Sequence, residues 1–353
     1  MIYPSQYNLW LEREKRQIQY DIYASSVFPG EQKIIAPQKE ITSAYSSGSP
    51  ELKEILANKY KMKPENVFVT TGVSLLNTII ISTFCDKHNL VAIEKPRYEP
   101  LASIPGYVEC TVVPMERRFE EDWHLNMPDA KLGKPNLIIL TNPHNPTGTS
   151  LNKKNIEELI GFAEKNNSLI LSDEVYNDCS FIKSPPLVTL TKNVITVSHL
   201  NKSFGLGVLK IGWAIADKGI IEKLEEANTL YHADVFCTVD SLTQEVLLKE
   251  VEHYCNAMNR IRPNYCVMNN WIESRHDVEW VKPNGTPIGF IKTPIKNTKA
   301  FVENLINNYS TRVAPGYYFG AEGFLRIGYG CKPDILKEGL NRLGQALDEW
   351  KYW

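Results

Sequence analysis

Short apolar runs alternate with amphipathic segments through the middle of the chain. We interpret the runs as β-strands because they are rich in β-branched residues and end at glycine, proline or polar residues. The predicted strands are 67–72, 90–96, 107–114, 136–140, 168–176, 193–200 and 210–216. A helical pattern follows the first strand through Phe84, and another follows the fourth strand over 153–166.

This β-α-β rhythm predicts an α/β protein whose sheet is mostly parallel and covered by helices on both faces. The run at 136–140 supports that arrangement, because a strand buried on both faces is almost continuously apolar. After residue 217 the pattern is helical to about residue 260. The tail has strand patterns near 278–293 and 311–328 and then a closing helix, which predicts a smaller α+β domain.

The composition excludes several classes of protein. The 353 residues are 43% hydrophobic and 23% charged, which is typical of a globular chain with a large domain and a smaller one. The net charge is −2 and no Lys/Arg run forms a basic face, so we expect no nucleic-acid partner. The longest apolar stretch, 75–84, is too short and too polar to span a bilayer, so we expect no membrane partner.

The cysteines and the start of the chain indicate the compartment. The seven cysteines are widely spaced, with no CxxC motif or His/Cys cluster, so we expect neither a disulfide framework nor a metal site. The first residues, MIYPSQYNLWLEREK, carry charge where a secretory signal needs an apolar run. We therefore expect a soluble, reduced, cytoplasmic protein.

Five polar motifs come at or just after the carboxyl ends of predicted strands. They are TTG, the proline after AIEK, TNPHNPTG, SDEVY and SHLNK. Ligands bind at that edge of an open α/β sheet. The five motifs therefore predict one site.

Two of these motifs offer hydrogen-bonding groups in loops. TGVSLLN (71–77) places Ser74 at a strand-to-helix junction, where free N–H groups favour a phosphate; an ordinary helix N-terminus is the alternative. TNPHNPTG (141–148) presents the Asn145 amide, which donates and accepts in one plane; a structural turn is the alternative. We predict that the Asn145–Pro146 peptide bond is cis.

Three charged residues lie at the ends of, or within, apolar strands. Asp173, with Tyr176 three residues on, could keep a heteroaromatic nitrogen protonated or could cap a helix. Lys202 could be a desolvated nucleophile toward carbonyls or a solvated surface amine. Arg326 could clamp a carboxylate with its bidentate fork or form a buried ion pair.

Together and in this order, the motifs resemble the fold-type I pyridoxal-phosphate enzymes of the class I/II aminotransferase superfamily, from Tyr45 to the final helix. The resemblance implies a seven-stranded sheet in a large cofactor-binding domain over 45–245, and a small domain formed by 1–44 with 246–353. It also implies pyridoxal 5′-phosphate as the cofactor, an amino acid as the substrate, and a homodimer whose active site is shared between subunits.

The resemblance implies roles for five residues around the cofactor ring. Lys202 forms the imine with the cofactor aldehyde and is the catalytic amine. Asp173 pairs with the pyridine nitrogen, and Tyr98 stacks on the ring face. Tyr176 and Asn145 bond the ring hydroxyl, and Asn145 also contacts the substrate.

At the phosphate, the resemblance assigns Gly72, Val73 and Ser74 to the binding loop, and Tyr45 reaches the group from the neighbouring subunit. Arg326 is expected to clamp the α-carboxylate of the substrate.

The chain departs from the family pattern around the lysine. His199 and Asn201 occupy positions where the family usually has serine, and Lys210 replaces the usual arginine. Lys210 can still answer the phosphate charge, but lysine is a point charge and not a fork, so we expect weaker phosphate binding.

Three segments are similar to a narrower group, that of capreomycidine synthase: 9–27, 311–340 and NPHNPTGTSLN. These enzymes, and the related cyclase of guanitoxin biosynthesis, close a hydroxyarginine onto itself. The resemblance implies that Lys202 removes the Cα proton, a β- or γ-hydroxyl leaves as water, and the guanidine attacks the unsaturated carbon. The product would be a cyclic guanidino amino acid of the enduracididine or capreomycidine type.

The alternative to this dehydrating cyclase is a conventional amino acid aminotransferase. A relative that binds the cofactor without catalysis is a third possibility, against which the intact Lys202 and Asp173 argue. A guanidinium would also need an acidic partner. The candidates in the N-terminal segment are Glu12, Glu14, Asp21 and Glu31.

Overall fold

The computed structural model describes residues 4–14, 18–28, 45–231 and 234–350. The helices in these ranges are α1 (Gln6–Arg13), α2 (Pro50–Tyr60), α3 (Val73–Phe84), α4 (Glu99–Tyr107), α5 (Lys153–Asn166), α6 (Asn201–Phe204), α7 (Lys218–Tyr231), α8 (Cys237–Leu248), α9 (Glu250–Glu273), α10 (Thr298–Tyr309) and α11 (Pro333–Glu349). The strands are β1 (Tyr20–Asp21), β2 (Val67–Thr70), β3 (Leu90–Lys95), β4 (Thr111–Glu116), β5 (Leu137–Thr141), β6 (Leu169–Asp173), β7 (Val194–Ser198), β8 (Gly212–Ile215), β9 (Glu279–Trp280), β10 (Ile288–Lys292), β11 (Thr311–Arg312), β12 (Ala314–Pro315) and β13 (Phe324–Gly328).

The larger sheet has seven strands in the order β2-β8-β7-β6-β5-β3-β4. Strand β8 runs antiparallel to both of its neighbours, and the other neighbouring strands pair in parallel. The predicted α/β architecture with a mostly parallel seven-stranded sheet is confirmed. Parallel strands bring their carboxyl ends to one edge, which is the edge that the polar motifs follow.

Strand β5 shows how the sheet is buried on both faces. Leu137 and Ile139 belong to one hydrophobic layer, and Ile138 and Leu140 belong to the other. This alternation follows from the two-residue period of a strand. Helix α3 contributes to the first layer, and helices α2 and α5 contribute to the second.

The C-terminal part of the chain contains a second sheet, which is antiparallel and has the order β12-β13-β10-β9. Helix α10 packs against α11 and β12 beside this sheet. Strand β1 pairs in parallel with β11, so the N-terminal region is built into the C-terminal part. The domain boundaries, 45–245 and 1–44 with 246–353, stay a prediction.

The predicted strand at 107–114 is wrong in its first part, because α4 continues to Tyr107 and β4 begins at Thr111. Helix α4 escapes prediction because it contains Pro100 and Pro105. Pro100 lies in the first turn, where a helix needs no N–H from it.

The helical region predicted after residue 217 comprises α7, α8 and α9, and it extends to Glu273 rather than to about residue 260. None of the helices in the described ranges combines the length and the hydrophobicity that a bilayer span requires.

The predicted cis bond at Asn145–Pro146 is wrong. The cis peptide bonds of the described residues precede Pro96 and Pro143, so in TNPHNPTG it is the first Asn-Pro bond that is cis. The loop around Pro146 closes through a hydrogen bond from Gly148 N to His144 O (2.7 Å), a turn that a trans bond accommodates.

Candidate active site

A cavity of about 420 Å³ lies at the carboxyl edge of strands β5, β6 and β7. The residues predicted from the sequence that line it are Gly72, Val73, Ser74, Tyr98, Asn145, Asp173, Tyr176, His199, Lys202 and Lys210. The fold therefore brings the polar motifs together at one site. Of the predicted residues, Tyr45 and Arg326 lie outside the lining of this cavity.

Lys202 lies in the short helix α6, which follows strand β7. Its Nζ donates a hydrogen bond to Ser25 Oγ (2.8 Å). Burial lowers the pKa of the Lys202 ammonium to about 8; Arg326 adds to the lowering and Asp173 opposes it. The surface-amine alternative is therefore wrong, and part of the amine is neutral and nucleophilic near neutral pH.

Asp173 ends strand β6 with a buried carboxylate that receives little hydrogen bonding. Its Oδ1 accepts from Val175 N (3.3 Å) and its Oδ2 accepts from Asn77 Nδ2 (3.4 Å), and both bonds are long. Burial raises the pKa of Asp173 to about 6, and these two bonds and Lys202 oppose the rise. Such a carboxylate fits a protonated ring nitrogen, whose positive charge would stabilise it.

The neighbouring acid, Glu174, serves the fold. Its Oε1 accepts from Ser172 Oγ (3.0 Å), Leu187 N (3.0 Å) and Thr196 Oγ1 (3.2 Å). A single 3₁₀ turn at 177–179 follows, so the interpretation of SDE as an α-helix cap is wrong. The two adjacent acids point to different environments because side chains alternate at a strand end.

Two further groups at the cavity have unused hydrogen-bonding capacity. Tyr176 is 1% exposed, and its Oη has no partner at regular hydrogen-bond geometry among the described residues. Burial raises the pKa of this phenol, and the nearby Ser25 hydroxyl opposes the rise. Asn145 donates its backbone N–H to Thr141 Oγ1 (2.9 Å), and its Oδ1 accepts from Arg326 Nη1 (2.9 Å). A buried phenol with spare hydrogen-bonding capacity beside an amide fits a ligand that carries a ring hydroxyl.

A buried network that sequence reasoning missed holds Asn145 in place. Glu94 Oε1 accepts from the Thr141 hydroxyl (2.6 Å), which in turn accepts from Asn145 N. Arg117 Nε donates to Glu94 Oε2 (3.1 Å), and both side chains are buried. Burial raises the pKa of Glu94 to about 7, against the effects of Arg117 and Thr141. The available signal was the lone acid in the apolar run VAIEK.

Replacing Glu94 by glutamine should lower the free energy of unfolding by about 3–5 kcal/mol, because it leaves the buried Arg117 guanidinium without a counter-charge. Denaturant unfolding measures the change. The double variant Glu94→Gln/Arg117→Met should recover much of the loss. A single variant as stable as the unchanged protein would contradict the assignment of this pair.

The predicted phosphate loop falls on the start of helix α3. Gly72 has a φ of 83°, which favours glycine, and it directly precedes the helix. The N–H groups of Val73 and Ser74 lie in the first turn, where they lack helical partners. Lys210 lies next to this loop, since its backbone oxygen is 3.9 Å from where a Cβ of Gly72 would be. Backbone N–H groups beside one cation suit a phosphate.

His199 does not add charge to that anion site. Its Nδ1 accepts a hydrogen bond from Asn201 N (3.0 Å), which supports the start of α6. Burial lowers the pKa of His199 to about 3, and Lys202 adds to the lowering, so the ring is neutral.

Tyr45 is directed elsewhere in its own chain. It pairs with Val235 through an isolated β-bridge and lines a separate cleft with Lys53 and Lys218. Its predicted contact with the phosphate of a neighbouring subunit stays a prediction.

Arg326 is 1% exposed in strand β13. Its Nη1 donates to Asn145 Oδ1 (2.9 Å), and its Nη2 donates to Tyr7 Oη (2.6 Å) and Tyr23 O (3.2 Å). No carboxylate of the described residues pairs with it, and its Nε lacks a partner. The ion-pair alternative therefore fails, and a buried cation without a counter-charge favours an anionic ligand.

The candidate partners for a guanidinium do not enter the cavity lining. Asp21 is bound to Arg312 through both carboxylate oxygens, so it is wrong as a free partner. Glu12 and Glu14 lie on and directly after α1 and are not part of the lining. Glu31 falls outside the described residues.

A lysine with a lowered pKa, a buried acid at the end of the neighbouring strand and an anion site at a helix N-terminus together suit an enzyme that uses pyridoxal phosphate. Residues 25–343 match the family Aminotransferase class I and II. The chain belongs to this family, and its cofactor is pyridoxal 5′-phosphate.

Individual relatives agree with that assignment. An aspartate aminotransferase of Thermococcus kodakarensis is 28% identical over 305 residues, which cover 86% of this chain and 80% of that protein. The crystal structure of a PLP-dependent aminotransferase from Streptococcus suis superposes with a TM-score of 0.91 at 23% identity, over 100% of this chain and 99% of that one. A PLP-dependent cyclase, OrfR, superposes with a TM-score of 0.85 at 19% identity, over 99% and 98% of the two chains. These likenesses show the aminotransferase fold of type I.

Proposed function

We propose that this protein is an aminotransferase that acts on an α-amino acid. One arrangement supports the proposal most. The buried Arg326 guanidinium has no counter-charge among the described residues, and it donates a hydrogen bond to the Asn145 amide. Asn145 lines the same cavity as Lys202. An α-amino acid has the two groups that this arrangement suits, a carboxylate for the guanidinium and an amine one carbon away.

The described residues divide the chemistry among them. When bound, pyridoxal phosphate withdraws electrons from the Cα of an amino acid. Asp173 would hold a proton on the ring nitrogen, and Tyr176 and Asn145 would orient the ring through its hydroxyl. The Nζ of Lys202 would take the proton from Cα, and in amino transfer it would also supply the proton that the cofactor side gains. Tyr98 would cover the ring face.

Relatives support amino transfer more than cyclisation. The relatives at 24–28% identity carry names such as aspartate aminotransferase and histidinol-phosphate aminotransferase. In addition, Asp173 is the single carboxylate among the described residues that line the cavity, and it is expected to face the cofactor. A cationic substrate side chain would need a further acid.

A dehydrating cyclase acting on a hydroxy-L-arginine is the second candidate. Two segments that resemble the capreomycidine synthase group, 9–27 and 311–340, meet at the site: Tyr23 O accepts from Arg326, and Ser25 Oγ accepts from Lys202. The likeness to the cyclase OrfR supports the same candidate at the level of the fold.

One incubation separates the two candidates. The loaded enzyme is mixed with single amino acids, including aspartate, aromatic amino acids and hydroxy-L-arginines, without a keto-acid acceptor. Amino transfer predicts that pyridoxamine phosphate accumulates with a keto acid, in one equivalent per site. Cyclisation predicts a product lighter by one water with its amine retained, formed over many turnovers. If neither product forms with any amino acid of the panel, both candidates fail.

We also propose a cytoplasmic homodimer with a shared site. Tyr45 lies outside the cavity of its own chain, as expected for a residue that serves the neighbour. Near its bridge partner Val235, the large apolar side chains of Leu230 and Phe236 are 81% and 75% exposed, which suits burial against a second copy.

A further inference from the structure

Residues 22–28, which we call the N-terminal strap, run directly past the active lysine. Gly328 N donates to Ile22 O (2.8 Å), and Val27 N donates to the backbone oxygen of Lys202 (3.1 Å). The strap is thus fixed by backbone hydrogen bonds on both sides of its centre, to β13 at one end and to α6 at the other.

Two glycines allow the strap to lie this close. A Cβ added at Gly328 would be 1.8 Å from Ala24 O, and one at Gly330 would be 2.5 Å from Ser26 O. Any side chain at these two positions would therefore push the strap away from Lys202.

At the centre of the strap, Ser25 Oγ accepts the hydrogen bond from Lys202 Nζ (2.8 Å). Within the described part of the chain, Ser25 Oγ is the hydrogen-bond acceptor for the Lys202 amine. The charged and titratable groups that also influence Lys202 are Arg326, Asp173, Cys179 and Lys210. None of these four forms a hydrogen bond with Nζ in the described part of the chain.

We propose that Ser25 is a positioning residue that aims the free amine of Lys202 at the substrate Cα. This inference rests on the proposed proton transfer by Lys202, and it applies equally to amino transfer and to cyclisation, because both begin at Cα.

The geometry of an amine explains the role. Neutral Nζ has two N–H bonds and one lone pair. When one N–H donates to Ser25 Oγ, rotation about the Cε–Nζ bond is restricted, and the lone pair is held in a defined direction. After the Cα proton has moved to that lone pair, the ammonium keeps the same hydrogen bond, which also stabilises its charge. The proton moves to Nζ, and the electron pair of the Cα–H bond stays on the substrate.

The test measures exchange of the substrate Cα proton in D₂O by mass spectrometry, using the loaded enzyme and an amino acid that it binds. Ser25→Ala should slow the exchange by roughly 10- to 100-fold with little change in KM, because a misdirected base loses rate and not binding. The pair Ser25→Thr and Ser25→Val isolates the hydroxyl at nearly equal size. Thr should retain most of the exchange and Val should not.

The neighbouring Ser26→Ala is the matched control, because Ser26 is the same residue type on the same strap. The enzyme with this change should exchange the substrate Cα proton at the unchanged rate. Equal exchange in the Thr and Val variants, or equal loss in the Ser26 control, would overturn the proposal.

A second measurement on the cofactor-free protein uses an amine-reactive succinimidyl ester, with labelling of Lys202 followed by peptide mass spectrometry. Ser25→Ala should label about tenfold faster near neutral pH, because loss of the acceptor destabilises the ammonium and lowers the pKa of the amine. Because damage to the strap would also expose Lys202 to the reagent, the Ser26→Ala control is labelled in parallel and should react at the unchanged rate.

The two measurements also separate the proposal from the proposed function. If the unchanged enzyme exchanges no Cα proton of any amino acid, the proposed function fails, and the labelling result still tests the contact between Ser25 and Lys202. Unchanged labelling in Ser25→Ala would overturn the contact itself.

Discussion

Lys202→Ala should reduce turnover by roughly 10⁴-fold or more, whichever of the two reactions the enzyme performs. In the proposed chemistry, the variant loses both the covalent attachment point of the cofactor and the base that removes the Cα proton. Borohydride reduction followed by peptide mass spectrometry should find the cofactor on Lys202 in the unchanged enzyme and nowhere in the variant. Lys218→Ala is a suitable control, because Lys218 is a solvent-exposed lysine paired with Glu222 on helix α7.

The lowered pKa of Lys202 also predicts that the rate of Cα proton removal depends on pH. Burial lowers the pKa of Lys202 to about 8, so below pH 8 most of the free amine is protonated and cannot take a proton. The rate of Cα proton removal should therefore rise as the pH approaches about 8 and level off above it.

Retention of near-normal turnover in Lys202→Ala would remove this residue from the mechanism and refute the proposed chemistry.

Replacing Arg326 should separate activity from stability. Arg326→Lys removes the bidentate fork, and we expect kcat/KM to fall by roughly a hundredfold or more, mostly through KM. Arg326→Met should lose at least as much activity. Because it removes a buried charge that no carboxylate balances, it should also raise the free energy of unfolding by about 1–3 kcal/mol.

Steady-state kinetics and denaturant unfolding on the same preparations test both parts. Asp21→Asn gives a useful contrast, because Asp21 is the ion-pair partner of Arg312, and its loss should lower stability. If Arg326→Met were strongly destabilised, the guanidinium would be a structural element and not a site prepared for an anion.

The sheet and the position of the site could be predicted because each rests on local sequence. The continuous apolar run in β5 indicates a strand covered on both faces, and the motifs that carry Asn145, Asp173 and Lys202 follow consecutive strands. Chain connectivity alone then brings them to one edge.

What could not be predicted depends on contacts between distant segments. Glu94 lies in β3 and Arg117 directly follows the neighbouring strand β4, and nothing near either residue in the sequence indicates the other. Ser25 is likewise one small polar residue within the segment 9–27, and its contact with Lys202 depends on the backbone hydrogen bonds that hold the strap to β13 and α6. Of the acids proposed for a guanidinium, Asp21 was excluded by Arg312, a partner that only the pairing of β1 with β11 reveals.

The N-terminal strap also determines when the active site of a newly synthesised chain can be completed. The Arg326 guanidinium donates a hydrogen bond to Tyr23 O, and these two residues are 303 positions apart in the sequence. The strap precedes all seven strands of the larger sheet in the sequence, and its docking surface on β13 follows them. A nascent chain that has completed the seven-stranded sheet therefore still lacks a finished catalytic centre until β13 has been made.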